Sequence, residues 1–182
     1  MHCLILVDLQ NDYFSGGRME LVGMAQAAAN AQRMLNAFRE QSAPVVHVQH
    51  ISAQPSATFF LPGSVGVEIN AAVAPQAGEA VVVKHFPNSF RDTALQEILQ
   101  DRGTKDLVIC GAMSHMCIDA TVRAAFDLGF NCAVAEDACA TRDLSFNNGL
   151  VMAADVHAAF MAALSAVYAK VTTTEVILQS RS

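Results

Sequence analysis

Three ionisable side chains stand where an apolar run gives way to a turn: Asp8 closes CLILVD, Lys84 closes AVVVK, and Cys117 lies in GAMSHMCIDATVRAAFDLG. An acid, a cation and a thiol supply the base, charge stabiliser and nucleophile that acyl transfer requires. Cys117 falls where a glycine-led turn leaves a strand pattern and a helical pattern begins. Unpaired N–H groups and the positive helix end at such a place favour thiolate. Each residue also has an ordinary reading: Asp8 as a loop cap, Lys84 as a lysine reaching into solvent, Cys117 as a small core hydrophobe. That last reading holds for Cys3, Cys110 and Cys132, inside apolar strands, while Cys139 is an incidental loop residue.

The elements that must position these groups follow from periodicity. Short apolar runs at 3–8, 44–50, 80–85, 106–112 and 131–137, with a sixth near 169–173, alternate with helical segments at 25–41, 93–101, 116–128 and about 147–168. That alternation predicts an α/β protein, a parallel sheet covered by helices on both faces. Gly103 and Gly129 stand where helix C-terminal caps are expected. In such folds ligands bind outside the carboxyl ends of the strands, where strand order reverses. With the order 3-2-1-4-5-6, the first and fourth strands flank that point, and the three side chains converge. Residues 51–67, with two prolines and two glycines, read as a long ordered loop. Its Phe59, Phe60 and Leu61 suit a pocket wall, a contact with a second subunit, or a satellite cluster beneath the loop.

Composition sets the outer bounds. At 182 residues, 53% apolar and 15% charged, the chain fits one packed domain spanning 1–182. A formal charge of −6 and the lack of a basic run argue against nucleic-acid and anionic-membrane partners. Five cysteines without a CxxC pair suggest neither a disulfide framework nor a zinc ribbon. The start, MHCLILVD, meets Asp8 too early for a signal peptide, and AAFMAALSAVYA is too short to span a bilayer. These readings point to a cytoplasmic protein.

Three blocks, LILVDLQNDYFSGG, GEAVVVKHFPNSFRDTAL and LVICGAMSHMCIDATVRAAFDLGFNCAVAEDACAT, resemble in order the isochorismatase-like cysteine hydrolases. This family includes nicotinamidase, N-carbamoylsarcosine amidohydrolase, ureidoacrylate amidohydrolase and streptothricin hydrolase. The resemblance implies a single-domain three-layer α/β/α fold, Rossmann-like, with a six-stranded parallel sheet in the order above. It places the family triad on Asp8, Lys84 and Cys117, a cis peptide at Ala112–Met113, and an oxyanion hole on the Met113 and Cys117 amides. It implies hydrolysis of a C–N bond in a small molecule through a thioester, without a cofactor, in a homodimer or homotetramer. Isochorismatase-type vinyl-ether hydrolysis and a non-catalytic binding module are the family's alternatives. A thiol redox role lacks a resolving cysteine near Cys117 in sequence.

The sequence also departs from its relatives. The Asp-x-His metal site of nicotinamidases is missing from VVHVQHISAQPSATFF, so no metal is expected. Strand spacing sends His47 and His50 to opposite faces, which leaves His50 as a pocket residue at a strand end. Ser114 replaces a common threonine, and His115 follows it near the nucleophile. Tyr13, Phe86, Asn88 and Phe90 match wall positions, and Gln10 matches a position that orients Lys84 or the turn after the first strand.

Overall fold

The computed structural model describes residues 2–180. Five near-continuous apolar runs become β1 (His2–Val7), β2 (Val45–His50), β3 (Ala80–Lys84), β4 (Asp106–Ala112) and β5 (Asn131–Ala140). Only strands covered on both faces tolerate such runs, and β1 and β4 are buried along all but their first residue. With β8 (Lys170–Thr172) they form a six-stranded sheet in the order β3-β2-β1-β4-β5-β8, every neighbour parallel. The expected architecture is therefore the one found.

Right-handed crossovers put the helices on both faces, because β1 to β2 and β4 to β5 step in opposite directions from the centre. Helix α1 (Met24–Glu40) packs with α5 (Thr174–Gln179), and α3 (Asp119–Asp127) packs with α4 (Ala153–Val167). Between β3 and β4 lies α2 (Leu95–Asp101), which begins two residues after the expected start because the Thr93 hydroxyl accepts the Leu95 N–H at 3.3 Å. Gly103 and Gly129 follow α2 and α3 with φ of +60° and +87°, as the cap reading required. Among the described residues no helix is long and apolar enough to cross a membrane.

Three expectations change. Strand β5 runs on to Ala140, so Cys139 is a buried residue paired with Gly111 of β4 and not a loop residue. The helix expected over 147–168 begins only at Ala153, because β6 (Leu144–Phe146) and β7 (Gly149–Val151) form an antiparallel hairpin. Asn147 and Asn148 turn it at φ of +47° and +62°, a conformation that asparagine tolerates at the centre of tight hairpin turns. The helix expected from 116 starts earlier, as a π-turn over Ser114–Ile118 that runs into α3. The 51–67 loop joins the core: Phe60 is fully buried with its ring 4.6 Å from Tyr13. Asp12 accepts the Phe60 N–H at 2.6 Å, and a Cβ on Gly66 would overlap the same carboxylate.

At the centre of the sheet Gly111 holds φ +129°, and a Cβ there would overlap the Val7 backbone. Gly111→Ala should therefore cost roughly 3 kcal/mol or more, since both the conformation and the space exclude a side chain. Urea unfolding tests this, and a loss within experimental error would show that β1 and β4 can separate without penalty.

The edge strand that carries Lys84 is pinned by Glu79. Its carboxylate accepts from Arg39 Nε at 2.7 Å and Nη2 at 2.8 Å, and from Gln76 N–H at 2.7 Å, with His47 Nε2 at 2.9 Å. The Arg39 guanidinium, more than any other partner, pulls the Glu79 carboxyl down to about 2. A depressed carboxyl stabilises the fold above its unfolded value and loses that contribution as pH falls through its folded value. Glu79→Gln should thus cost up to roughly 3 kcal/mol at pH 7, a difference that shrinks between about pH 4.5 and 2. Paired denaturation curves across that range test it, and a gap independent of pH would refute it.

Candidate active site

Asp8 follows β1 with φ +54°, a left-handed conformation that costs a non-glycine residue about 1–3 kcal/mol and persists where the surroundings enforce it. Its N–H donates to Val48 O at 3.0 Å, which ties the turn to β2. Lys84 ends β3, and parallel pairing sets it beside His50 at the end of β2. Cys117 lies in the π-turn after β4. Three strand ends thus deliver three side chains to one point, and Asp8 and Lys84 are fully buried there.

Lys84 Nζ is the hub. It donates to Asp8 Oδ2 at 2.7 Å and to Cys117 Sγ at 3.1 Å, lies 3.0 Å from His50 Nδ1, and reaches Phe86 O at 3.2 Å. Burial alone would pull the lysine down, but Asp8 and then Cys117 offset it and hold the ammonium above its ordinary value. Burial, and then the Asp8 carboxylate, push the Cys117 thiol well up, with Lys84 pulling the other way. The direction favours a protonated thiol, against the pull toward thiolate expected of a helix start. The helix end is too weak to outweigh loss of water around a group 4% exposed beside a carboxylate.

A protonated thiol needs a base. Asp8 Oδ1 is sealed from solvent and accepts no hydrogen bond among the described residues, while Oδ2 is committed to Lys84. A buried acceptor left free costs about 1–3 kcal/mol, and among the unpartnered buried atoms of the described residues Asp8 Oδ1 is the one on a carboxylate grouped with the Cys117 thiol. The Ala112–Met113 peptide is cis, as the resemblance implied, and the Met113 N–H donates to no group among the described residues. Asp8, His50 and Cys117 could also ligand a divalent cation, their donor atoms lying within 4.8 Å of one another. Lys84 Nζ already sits among those atoms.

The remaining expected residues divide. Gln10 does not touch Lys84; its amide donates to His50 O at 2.8 Å and Val67 O at 2.7 Å and accepts the His50 N–H at 2.7 Å. Tyr13 is buried beside Phe59 and Phe60, and its hydroxyl is held well above the ordinary range by burial and then by Cys117 and Asp8. Ser114 is fully buried and turns to His157 Nδ1 at 2.9 Å, so its hydroxyl braces the nucleophile turn against α4. His115 bonds the Thr141 hydroxyl at 2.6 Å. Phe86 lends its carbonyl to Lys84 and carries the Arg91 guanidinium 3.5 Å above its ring. Asn88 accepts the Phe90 N–H at 2.9 Å within its own turn, and the Phe90 ring stacks on Phe130 at 5.9 Å, on the side of the core.

One residue that sequence reasoning passed over is Arg142. It is exposed two residues beyond β5; its charge adds to burial in lowering His115, and on Tyr13 it opposes in part the rise set by burial, Cys117 and Asp8. Arg142 has no ion-pair partner among the described residues. It stands at the end of a strand, the same address that singled out Asp8 and Lys84.

With this geometry in hand, the likenesses to known proteins are informative. Residues 2–176 match the family model described as the isochorismatase domain. An uncharacterised isochorismatase family protein of Bacillus subtilis, YddQ, is 53% identical over 176 residues, covering 97% of this chain and 98% of that one. Streptothricin hydrolase from Streptomyces noursei is 34% identical over 151 residues, 82% of this chain and 58% of that one. Ureidoacrylate amidohydrolase from Variovorax paradoxus is 30% identical over 168 residues, 74% of this chain and 67% of that one. A crystal structure from Oleispira antarctica, provisionally described as an isochorismatase hydrolase, superposes with a TM-score of 0.94 at 55% identity, covering 98% of this chain and 96% of that one.

Proposed function

Since the chain belongs to the isochorismatase family, we propose that it hydrolyses a non-peptide C–N bond in a small molecule, with Cys117 as nucleophile. One observation carries the reading: the Lys84 ammonium joins a buried carboxylate to a buried thiol, and that carboxylate keeps one oxygen free. The amidohydrolase among the relatives supports the choice of bond.

In the proposed reaction Asp8 Oδ1 takes the thiol proton and Lys84 holds the resulting thiolate. Sγ attacks the substrate carbonyl, and the tetrahedral oxyanion accepts the Met113 and Cys117 N–H groups. Asp8 gives the proton to the departing nitrogen, the C–N bond breaks, and the amine leaves a thioester on Cys117. A water then loses its proton to Asp8 and attacks the thioester carbon. The acid departs as the proton returns to Sγ, so one amide and one water become one acid and one amine.

The test is a panel of primary amides, ureido compounds and lactams, with isochorismate as the vinyl-ether control, followed by amine release and intact-protein mass. Amine release with an acyl mass on Cys117 is the expected result. Turnover of isochorismate alone would replace amide chemistry by vinyl-ether hydrolysis.

Arg142 adds a direction within that panel. An exposed guanidinium without an ion-pair partner among the described residues, whose charge acts on both Tyr13 and His115, favours substrates that carry a carboxylate. Arg142→Ala should raise KM for anionic amides about tenfold or more and leave neutral amides within about twofold. Equal effects on both would remove Arg142 from substrate recognition.

A further inference from the structure

The His50 ring has two nitrogens in unlike circumstances. Nδ1 lies 3.0 Å from Lys84 Nζ, and an ammonium can only donate. Nδ1 must therefore offer its lone pair, which leaves the single proton of the neutral ring on Nε2. Nε2 has no protein partner among the described residues, yet it is absent from the sealed, unpartnered atoms, which are Asp8 Oδ1, His47 Nδ1 and Thr104 Oγ1. It is a donor left open to an incoming molecule.

The ring is also held in place. Gln10 grips the His50 backbone from both sides through its N–H and its carbonyl. The Phe60 ring lies 5.8 Å away on the latched 51–67 loop. Between the Lys84 contact and these constraints, the imidazole can neither flip nor swing without breaking a bond at the triad.

We infer that His50 is a specificity residue whose Nε2–H binds a second hydrogen-bond acceptor of the substrate, a carbonyl or carboxylate oxygen a few atoms from the scissile carbonyl. The inference rests on the amide-hydrolase reading and sharpens it: the preferred substrates are bifunctional amides over simple aliphatic ones. A site built to donate a hydrogen bond discriminates strongly against an analogue that cannot accept it, because its donor is then desolvated without a partner.

Two half-isosteres separate this role from mere support of Lys84. His50→Asn keeps an acceptor near the Nδ1 position and lacks the distal donor, whereas His50→Gln extends an amide N–H toward the Nε2 position. Malonamide, succinamide and glutaramide are compared with aliphatic amides in which the remote carboxamide is replaced by a branched alkyl group, for example 4-methylpentanamide against succinamide. Wild type should favour the best diamide over its isostere by about tenfold or more in kcat/KM. His50→Asn should bring that ratio to within about twofold by raising KM for the diamide alone, any cost to kcat through Lys84 falling on both amides alike, and His50→Gln should restore part of the preference. Turnover without acceptor preference in wild type, or a preference intact in His50→Asn, overturns the role of His50 and leaves the hydrolase reading standing.

A readout that needs no turnover completes the test. In Cys117→Ala, the 15N spectrum of His50 should show Nε2 protonated and Nδ1 bare at pH 7, and the Nε2–H resonance should move with succinamide and not with 4-methylpentanamide. That response without hydrolysis of any amide by wild type would sink the hydrolase reading and keep the His50 site. The opposite tautomer, or no response to any diamide, overturns the inference.

Discussion

Cys117→Ala should lower kcat about a millionfold on any substrate that wild type turns over, leaving only the roughly 10³–10⁴-fold advantage over water that an oxyanion site and binding alone sustain. The loss should come without unfolding. The Asp8–Lys84 pair survives removal of the thiol, with Lys84 keeping Asp8 Oδ2, His50 Nδ1 and Phe86 O as acceptors. Stability in urea should stay within about 1 kcal/mol of wild type. Intact mass should show no acyl species on the variant. Activity within tenfold of wild type would place the nucleophile elsewhere.

Lys84→Met should do the opposite and damage both activity and fold. The substitution removes the counter-charge from a carboxylate that is 0% exposed, and breaking one side of a buried pair costs about 3–5 kcal/mol. Replacing both partners is a different matter, since a buried pair exchanged for neutral groups is often close to neutral in stability. Asp8→Asn with Lys84→Met should therefore recover most of the stability lost by Lys84→Met alone, and none of the activity. A double-mutant cycle in urea measures that coupling. Additive losses would mean that the two charges do not depend on each other, which the 2.7 Å contact forbids.

How much of this was legible beforehand depended on whether a property was local. Asp8, Lys84 and Cys117 could be found because each interrupts an apolar pattern at a strand end, a signal carried by neighbouring residues. The sheet order, with β1 and β4 at its centre, followed from the same patterns together with the family likeness. The protonation state of Cys117 was not legible, because it depends on burial and on the approach of residues 109 and 33 positions away in the chain. Nor was the hold of Gln10 on His50, which needs the turn after β1 to lie against the end of β2. The Asn147–Asn148 hairpin carried a local turn signal that the apolar pattern around it obscured.

The surroundings of Lys84 Nζ have a consequence in plain valence. An ammonium has three hydrogens, and four acceptors compete for them: Asp8 Oδ2, Cys117 Sγ, His50 Nδ1 and Phe86 O. One acceptor is always short. When Sγ loses its proton it becomes the most demanding of the four, and Phe86 O, the most distant at 3.2 Å, is the one to go without. The segment after β3 thus senses the ionisation of the nucleophile, so each turnover should pass a small tug along the chain from sulfur to the Phe86 carbonyl and back.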